Sequence, residues 1–265
     1  MKRQKIRKLL LLISFLLFPV TLYYFSPVLI IEGGFSGIVT GSLLLFAALF
    51  AASLFFGRAF CGWICPAGGL QEACFQIVDK RVTGKKVNWV KYIIWVPWLL
   101  VIILGFILHG GVKSVSLFYM TNHGISVSGI MELTIYLFFI TLITVLALVI
   151  GKRGMCHSIC WMAPFMIIGT RIKNLLGYSS LHLEADSEKC VQCGLCTKNC
   201  PMSLEVAQMV RMGALQNDEC ILCGRCADLC AKKVIKLTSK RSEKLAAEKD
   251  DEAKTAADNR KAVIK

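Results

Sequence analysis

Cys190-Val-Gln-Cys193-Gly-Leu-Cys196-Thr-Lys-Asn-Cys200-Pro201, followed by Cys220-Ile-Leu-Cys223-Gly-Arg-Cys226-Ala-Asp-Leu-Cys230, runs twice through one spacing of four cysteines. This is the spacing that binds two [4Fe–4S] clusters: three close thiolates wrap three corners, and the fourth cysteine of each run reaches the other cluster. The crossing assigns Cys190, Cys193, Cys196 and Cys230 to the first cluster, and Cys220, Cys223, Cys226 and Cys200 to the second. Gly194 and Gly224 follow the second cysteine of each run, where backbone must approach a cluster closely. Structural zinc favours two separated pairs and leaves the double run unexplained. Ala231 stands where a second proline is expected, but proline is no ligand.

Outward from these runs the composition changes the class of protein. The 265 residues are 55% hydrophobic and 18% charged, with a mean hydropathy of +0.61. Soluble domains carry about 45–50% apolar and about 25% charged residues, which argues against an ordinary cytosolic enzyme. The net charge is +14, and the basic excess flanks long apolar stretches, so membrane lipid is the expected partner and nucleic acid is not. Four uncharged stretches, residues 9–31, 35–56, 92–108 and 133–150, predict four transmembrane helices. The last two are extended to 109–111 and back to Ile130 to reach the length that a hydrocarbon core of about 30 Å demands. The first is too long for a signal peptide and lacks a small-residue cleavage site. Pro19 and Pro27 predict kinks in it, and Trp89, Trp95 and Trp98 predict an interfacial anchor for the third.

Lys and Arg are distributed unevenly between the ends of these stretches. Lys2, Arg3, Lys5, Arg7 and Lys8 precede the first. Arg58, Lys80, Arg81, Lys85, Lys86 and Lys91 follow the second, and Lys152, Arg153, Arg171 and Lys173 follow the fourth. The other side carries only Lys113, so both termini are expected in the cytoplasm, where disulfides do not fit the thirteen cysteines. Residues 66–82 and 162–176 mix apolar and charged positions as interfacial helices do. Arg58-Ala-Phe-Cys61-Gly-Trp-Ile64-Cys65 returns 95 residues later as Arg153-Gly-Met-Cys156-His-Ser-Ile159-Cys160. The expected fold is a mainly α membrane protein of four transmembrane helices in two pseudo-repeats, plus a C-terminal bacterial-type 2[4Fe–4S] ferredoxin module. The expected boundaries are 1–182 for the membrane domain, 183–238 for the ferredoxin module and 239–265 for a charged, disordered tail.

Cysteines four residues apart on a helix share a face, so Cys61, Cys65, Cys156 and Cys160 supply four thiols at the membrane surface. They read as an additional iron–sulfur centre, a reversible dithiol, or buried thiols packing as small hydrophobes. Cys74 reads as a packed thiol. His157 reads either as a tuning residue of that site or as an ordinary surface histidine. A b-type haem needs a facing pair of axial histidines; His109 ends the third stretch and His123 lies in the loop beyond, which places them poorly. His182 completes the four histidines, and no Cys-x-x-Cys-His is present. Glu132, near the outer start of the fourth stretch, reads as a proton acceptor for a quinol or as a solvated headgroup residue. Gly33-Gly34 and Gly68-Gly69 lack the pattern of phosphate loops.

Cys61–Pro66 and Cys156–Cys160 after paired apolar stretches, followed by the two ferredoxin runs, resemble the NapH-type membrane ferredoxins. That family shares its four-helix module with the membrane part of the nitrous-oxide-reductase accessory protein NosR. The resemblance covers residues 9–237 and implies a membrane electron-transfer component of a prokaryote's cytoplasmic membrane, often described as a quinol dehydrogenase subunit. It implies the eight ferredoxin cysteines as ligands, quinone as a partner and a redox protein beyond it. Cys61, Cys65 and Pro66 match the family's Cys-x3-Cys-Pro motif; at the second motif Trp161 replaces the proline. The large extracytoplasmic flavin domain of NosR is lacking. Two functions compete: an electron relay, and an accessory protein that uses its clusters to mature or regulate another metalloenzyme. A transporter lacks support from broken-helix sites or intramembrane charges.

Overall fold

The computed structural model describes residues 2–82, 84 and 87–239, so all of the expected tail beyond Ser239 lies outside the described residues. The first apolar stretch does not form one helix. Helix α1 (Lys2–Leu16) stops, and a short α2 (Phe18–Thr21) with a 3-10 turn (Leu22–Phe25) continues at a bend of 58°. Pro19 in α2 has no amide hydrogen to continue the ladder of α1. Pro27 then opens α3 (Pro27–Ser36), and Ser26 caps it by accepting from the Leu29 amide at 3.4 Å. The carbonyls freed at the bend are met by the loop beyond the third stretch. Val127 N–H donates to Pro19 at 3.1 Å and the Ser126 hydroxyl to Val20 at 2.7 Å, which an apolar layer requires of any broken helix.

The second stretch is also divided. Gly37 ends α3 in the left-handed conformation, with φ at 66°. Strand β1 (Ile38–Thr40) follows, and Thr40 caps α4 (Gly41–Phe56) by accepting from the Leu43 amide at 3.3 Å. The expected continuous spans 9–31 and 35–56 are therefore corrected to α1, α2, α3 and α4. At about 1.5 Å per residue the sixteen residues of α4 rise about 24 Å. Two short helices follow, α5 (Ala59–Trp63) and α6 (Pro66–Cys74), then α7 (Val87–Leu108). Strand β2 (Ser114–Ser116) pairs in parallel with β1, Val39 opposite Val115. Helix α8 (Ile130–Val149) leads to α9 (Gly154–Ser158) and α10 (Ala163–Leu176). Helices α7 and α8, of 22 and 20 residues, are each long and apolar enough to cross a membrane; α1 with its bent continuation makes a third candidate.

The packing exchanges elements between the two parts of the chain. Helix α6 lies against α8, α10 lies against α4, and α7 packs on α3. Gly34 and Gly105 allow the last approach: a Cβ on Gly34 would stand 3.2 Å from the carbonyl oxygen of Ile102.

Strand β3 (His182–Ala185) and strand β4 (Ile235–Thr238) pair antiparallel, from His182 opposite Thr238 to Ala185 opposite Ile235. Between them lie three short helices, α11 (Leu195–Lys198), α12 (Val206–Arg211) and α13 (Arg225–Leu229), around a core that includes Leu183, Val206, Val210 and Val234. The two cysteine runs fold alike at an offset of 30 residues. Gln192 and Leu222, Gly194 and Gly224, and Ser203 and Lys233 pair as positive-φ positions. Each run also repeats a turn, with Ser203 donating to Cys200 at 3.1 Å and Lys233 to Cys230 at 3.0 Å. Side chains at four of these six positions pay the left-handed strain twice over in the same places, which marks a backbone shaped around something.

The second run sits directly on α5. Trp63 Nε1 donates to the Leu222 carbonyl at 3.1 Å, Gln4 Nε2 to the Cys223 carbonyl at 3.0 Å, and Arg3 pairs with Asp228 at 2.7 Å. A Cβ on Gly62 would fall 2.3 Å from the Ile221 carbonyl oxygen. Gly62→Ala is therefore expected to destabilise the seated module by about 1–3 kcal/mol, the usual cost of overpacking. Thermal unfolding in detergent reads this, and a midpoint equal to that of the unaltered protein would contradict the packing.

Candidate functional site

Cys61 lies on α5 and Cys156 on α9; Cys65 and Cys160 follow each helix. The two loops are alike at the backbone. Ile64 and Cys65 both donate to the Phe60 carbonyl, at 2.9 and 3.0 Å, and Ile159 and Cys160 both donate to Met155 at 3.1 Å. All four cysteines are buried and line one cavity. Its other walls are apolar and include Phe18, Leu22 and Phe25 from the bent segment and Ile135, Phe139 and Ile143 from α8. Trp161, in place of proline, donates its indole N–H to Phe25 at 2.9 Å and so holds the bent segment over this cavity. At the second motif the next helix starts at Ala163, where at the first it starts at Pro66 directly after Cys65.

Burial pushes the Cys61 thiol up, although Arg58 and Arg153 pull against it. Burial also pushes up Cys65, and Cys160 to about 12, with the neighbouring cysteines adding to both. A bound metal's positive charge would offset this burial penalty and favour the thiolate form. Gln71, fully buried, donates to Cys156 Sγ at 3.4 Å and accepts from the Met155 amide at 3.0 Å.

Two carboxylates and four cations surround the motif loops. Glu72 receives Arg7 through both oxygens, at 2.7 and 2.6 Å, and Arg153 at 2.5 Å. Glu219 receives Arg58 and Lys91, each at 2.5 Å. Arg153 also donates to the Cys61 carbonyl at 2.5 Å and Arg7 to that of Gly62 at 3.0 Å. Burial alone would raise Glu72, but Arg153 and Arg7 outweigh it and hold it at about 2. Arg58 and Lys91 likewise outweigh burial at Glu219 and hold it at about 2.

In the ferredoxin module Cys200, Cys220, Cys223 and Cys226 line a second cavity. Burial pushes Cys200 up to about 11 and Cys220 to about 12. Cys223 belongs to the same buried apolar cluster as the four motif cysteines. The other four are less enclosed: Cys190, Cys196 and Cys230 are half-buried beside the module's core, and Cys193 is exposed. Among the described residues no three ligand-type side chains converge as a single metal ion would require. A cubane presents its irons at separate corners, and thiols lining a cavity fit that demand.

A model described as a 4Fe-4S binding domain matches residues 38–85, which contain Cys61 and Cys65. A second, a 4Fe-4S dicluster domain, matches residues 189–235, which contain all eight ferredoxin cysteines. The chain is 28% identical over 206 residues to the ferredoxin-type protein NapH of Haemophilus influenzae, covering 69% of this chain and 63% of that one. It is 25% identical to the putative electron transport protein YccM of Escherichia coli, over 76% of this chain and 56% of that one. A similar match, 25% over 71% and 65% of the two chains, joins it to the methylamine utilization ferredoxin-type protein MauN of Methylobacillus flagellatus. The chain is similar to the NapH-type ferredoxins, a family these matches support. It spans less than two thirds of the length of each of these three relatives. No solved structure matches it.

Sequence reasoning missed the charged groups around the motif loops. Arg7, Arg58, Lys91 and Arg153 count as positive loop residues by position, yet all four are buried. The signal was available for two of them, because Arg58 and Arg153 open the repeated octapeptide. His157 is corrected from a surface histidine to a buried one, bonded to Asn88 at 2.7 Å and pushed down to about 4, burial being the main cause. Cys74 is buried. Glu132 is half-buried in the first turn of α8, one turn before the cavity-lining Ile135.

Removing one carboxylate leaves two buried guanidiniums without a counter-charge. Glu72→Gln is expected to cost about 3–5 kcal/mol, read from denaturant or thermal unfolding. Both carboxylates sit below the ordinary value of 4.5. Their contribution is therefore complete above about pH 4.5 and lost as pH falls through about 2. Below about pH 6.5 the unfolded chain protonates His157 while the folded one does not until about 4, so tryptophan fluorescence should report a shallow decline there that steepens below about 4.5 as the two carboxylates add theirs; no steepening would contradict the pairing.

Proposed function

We propose that this protein is a membrane-anchored electron-transfer component that links the quinone pool, or a membrane partner, to a redox partner protein. The observation that carries the reading is continuity. One buried apolar cluster joins the four motif cysteines to Cys223 of the second ferredoxin run, and the exposed Cys193 stands at the module's surface.

In this reading residues 1–182 form a membrane domain of four crossings in two related halves, with both termini and the ferredoxin module (183–238) on the cytoplasmic side. The exchange of α6 onto α8 and α10 onto α4 supports a pseudo-twofold relation, and the two spanning-length helices support the anchoring. Cys190, Cys193, Cys196 and Cys230 hold one [4Fe–4S] cluster; Cys220, Cys223, Cys226 and Cys200 hold the second. Cys61, Cys65, Cys156 and Cys160 hold an additional iron–sulfur centre. These groups supply one-electron storage when bound, and the chain supplies their ligands, spacing and dry surroundings. The apolar walls beside the motif cysteines suit a quinone ring. The names of the relatives, electron transport and ferredoxin-type among them, support a redox partner.

Anaerobic iron and sulfide quantification with EPR, with and without a reduced quinol, tests the proposal on the intact protein and on Cys61→Ser/Cys156→Ser. The expected outcome is quinol-dependent reduction in the intact protein, lost in the variant while the two ferredoxin clusters stay bound. Clusters indifferent to quinol in both proteins would sink direct quinol oxidation and turn attention to maturation of another metalloprotein.

A further inference from the structure

The charges around the motif cysteines do not cancel. Arg7, Arg58, Lys91 and Arg153 are four buried cations facing two carboxylates, Glu72 and Glu219, which leaves an excess of two positive charges. An excess of this size is costly in an apolar interior unless an anion completes it. The guanidiniums also keep donors in reserve. Among the described residues Nε and Nη2 of Arg58 and Nε of Arg153 meet no hydrogen-bond partner, although both side chains are fully buried. Arg58 lies within electrostatic reach of Cys61, Cys156 and Cys160, and Arg153 of Cys65 and Cys156. An iron–sulfur centre on four thiolates carries a net charge of about −2 when oxidised, which matches the excess.

We propose that Arg58 and Arg153 are the counter-charges of a centre held by Cys61, Cys65, Cys156 and Cys160, and that Glu219, by drawing on Arg58, couples that centre's reduction potential to the seating of the ferredoxin module. This deepens the assignment of those four cysteines as ligands and rests on it. Uptake of one electron adds one negative charge to the centre and breaks no bond, so a fixed positive charge nearby favours the reduced form. The two arginines are not equivalent. Arg153 is grounded by Glu72 of α6, within the same part of the chain, whereas the carboxylate that grounds Arg58 stands next to Cys220 in the other module. Neutralising Glu219 leaves Arg58 and Lys91 acting on the centre undiminished.

A dithionite redox titration followed by EPR on the intact, detergent-solubilised protein tests this. The centre's signal is the one present in the unaltered protein and absent from Cys61→Ser/Cys156→Ser; if no such signal or iron is found, the ligand assignment itself fails, and this proposal with it. Given the signal, Arg58→Gln should make the centre at least tenfold harder to reduce, about 59 mV for one electron. Arg58→Lys, which keeps the charge, should shift it less. Glu219→Gln should move it the other way. Arg171→Gln, which alters an exposed pair with Asp218, should leave it unchanged. Midpoints within threefold of the unaltered equilibrium in Arg58→Gln overturn the counter-charge, and an unshifted Glu219→Gln overturns the coupling. If Arg58→Gln loses the centre, retention in Arg58→Lys supports a role for charge, and loss in both variants overturns it.

Discussion

Two half-buried carboxylates, each facing buried cations, determine where the cysteines stand. Glu72 on α6 gathers Arg7 from α1 and Arg153 from the start of α9, and Glu219 gathers Arg58 from the start of α5 and Lys91 from α7. Helices α5 and α9 have five residues each, too few to persist on their own propensity. They are held from outside, by ion pairs at the arginine that immediately precedes each and, for α5, by carbonyl bonds from Arg153 and Arg7 to Cys61 and Gly62. A buried pair adds little net stability over a well-packed apolar alternative, yet breaking one is costly. Its effect here is geometric: each carboxylate reads two cations from different elements, so only one arrangement of those elements satisfies both.

Much of this was legible in the spacing of cysteines, because ligand chemistry tolerates few spacings and writes them locally. The two ferredoxin runs stood out by spacing, a 4Fe-4S dicluster model matches the span that holds them, and their positive-φ positions recur at an offset of 30 residues. The octapeptide repeat announced two motif loops with the same backbone, and the substitution of Trp161 for proline left those loops alike while moving the start of the next helix. Hydropathy was less informative. The uncharged stretches 9–31 and 35–56 read as two single spans, the first kinked at Pro19 and Pro27, but they divide into separate helices, and the break at Pro19 is stabilised by Ser126 and Val127 from more than 100 residues away. No local pattern encodes such a partner.

Charge was the least legible layer. A lysine or arginine beside an apolar stretch contributes to a topology argument whatever it does next, so Arg7, Arg58, Lys91 and Arg153 all counted as loop charges. Their burial depends on carboxylates far away in sequence, and one of these, Glu219, belongs to the other module. The same long range explains why Gln71 escaped notice. Nothing near it in sequence indicates that its side chain bridges Cys156 and the Met155 amide.

The repeat is informative where it fails. Arg58 and Arg153 occupy matching positions, so a fully symmetric arrangement would ground Arg58 on a carboxylate 95 residues after Glu72. By sequence count that position is Ile167 and by count from the displaced helix start it is Gly169; α10 (Ala163–Leu176) holds no acid at either place or elsewhere. The missing acid is supplied by Glu219, the residue immediately before Cys220, in the loop that rests on Gly62 and Trp63. The part of the chain before the ferredoxin module therefore leaves two of its own buried cations, Arg58 and Lys91, to be paired by Glu219 of that module. A module that supplies the partner of Arg58 and Lys91 is more than a tethered passenger, because undocking would remove their carboxylate and open the apolar cluster shared with Cys223. The close seating of the second cysteine run follows from the same constraint: that end of the module is held by charge and packing, while Cys193 of the first run stays exposed.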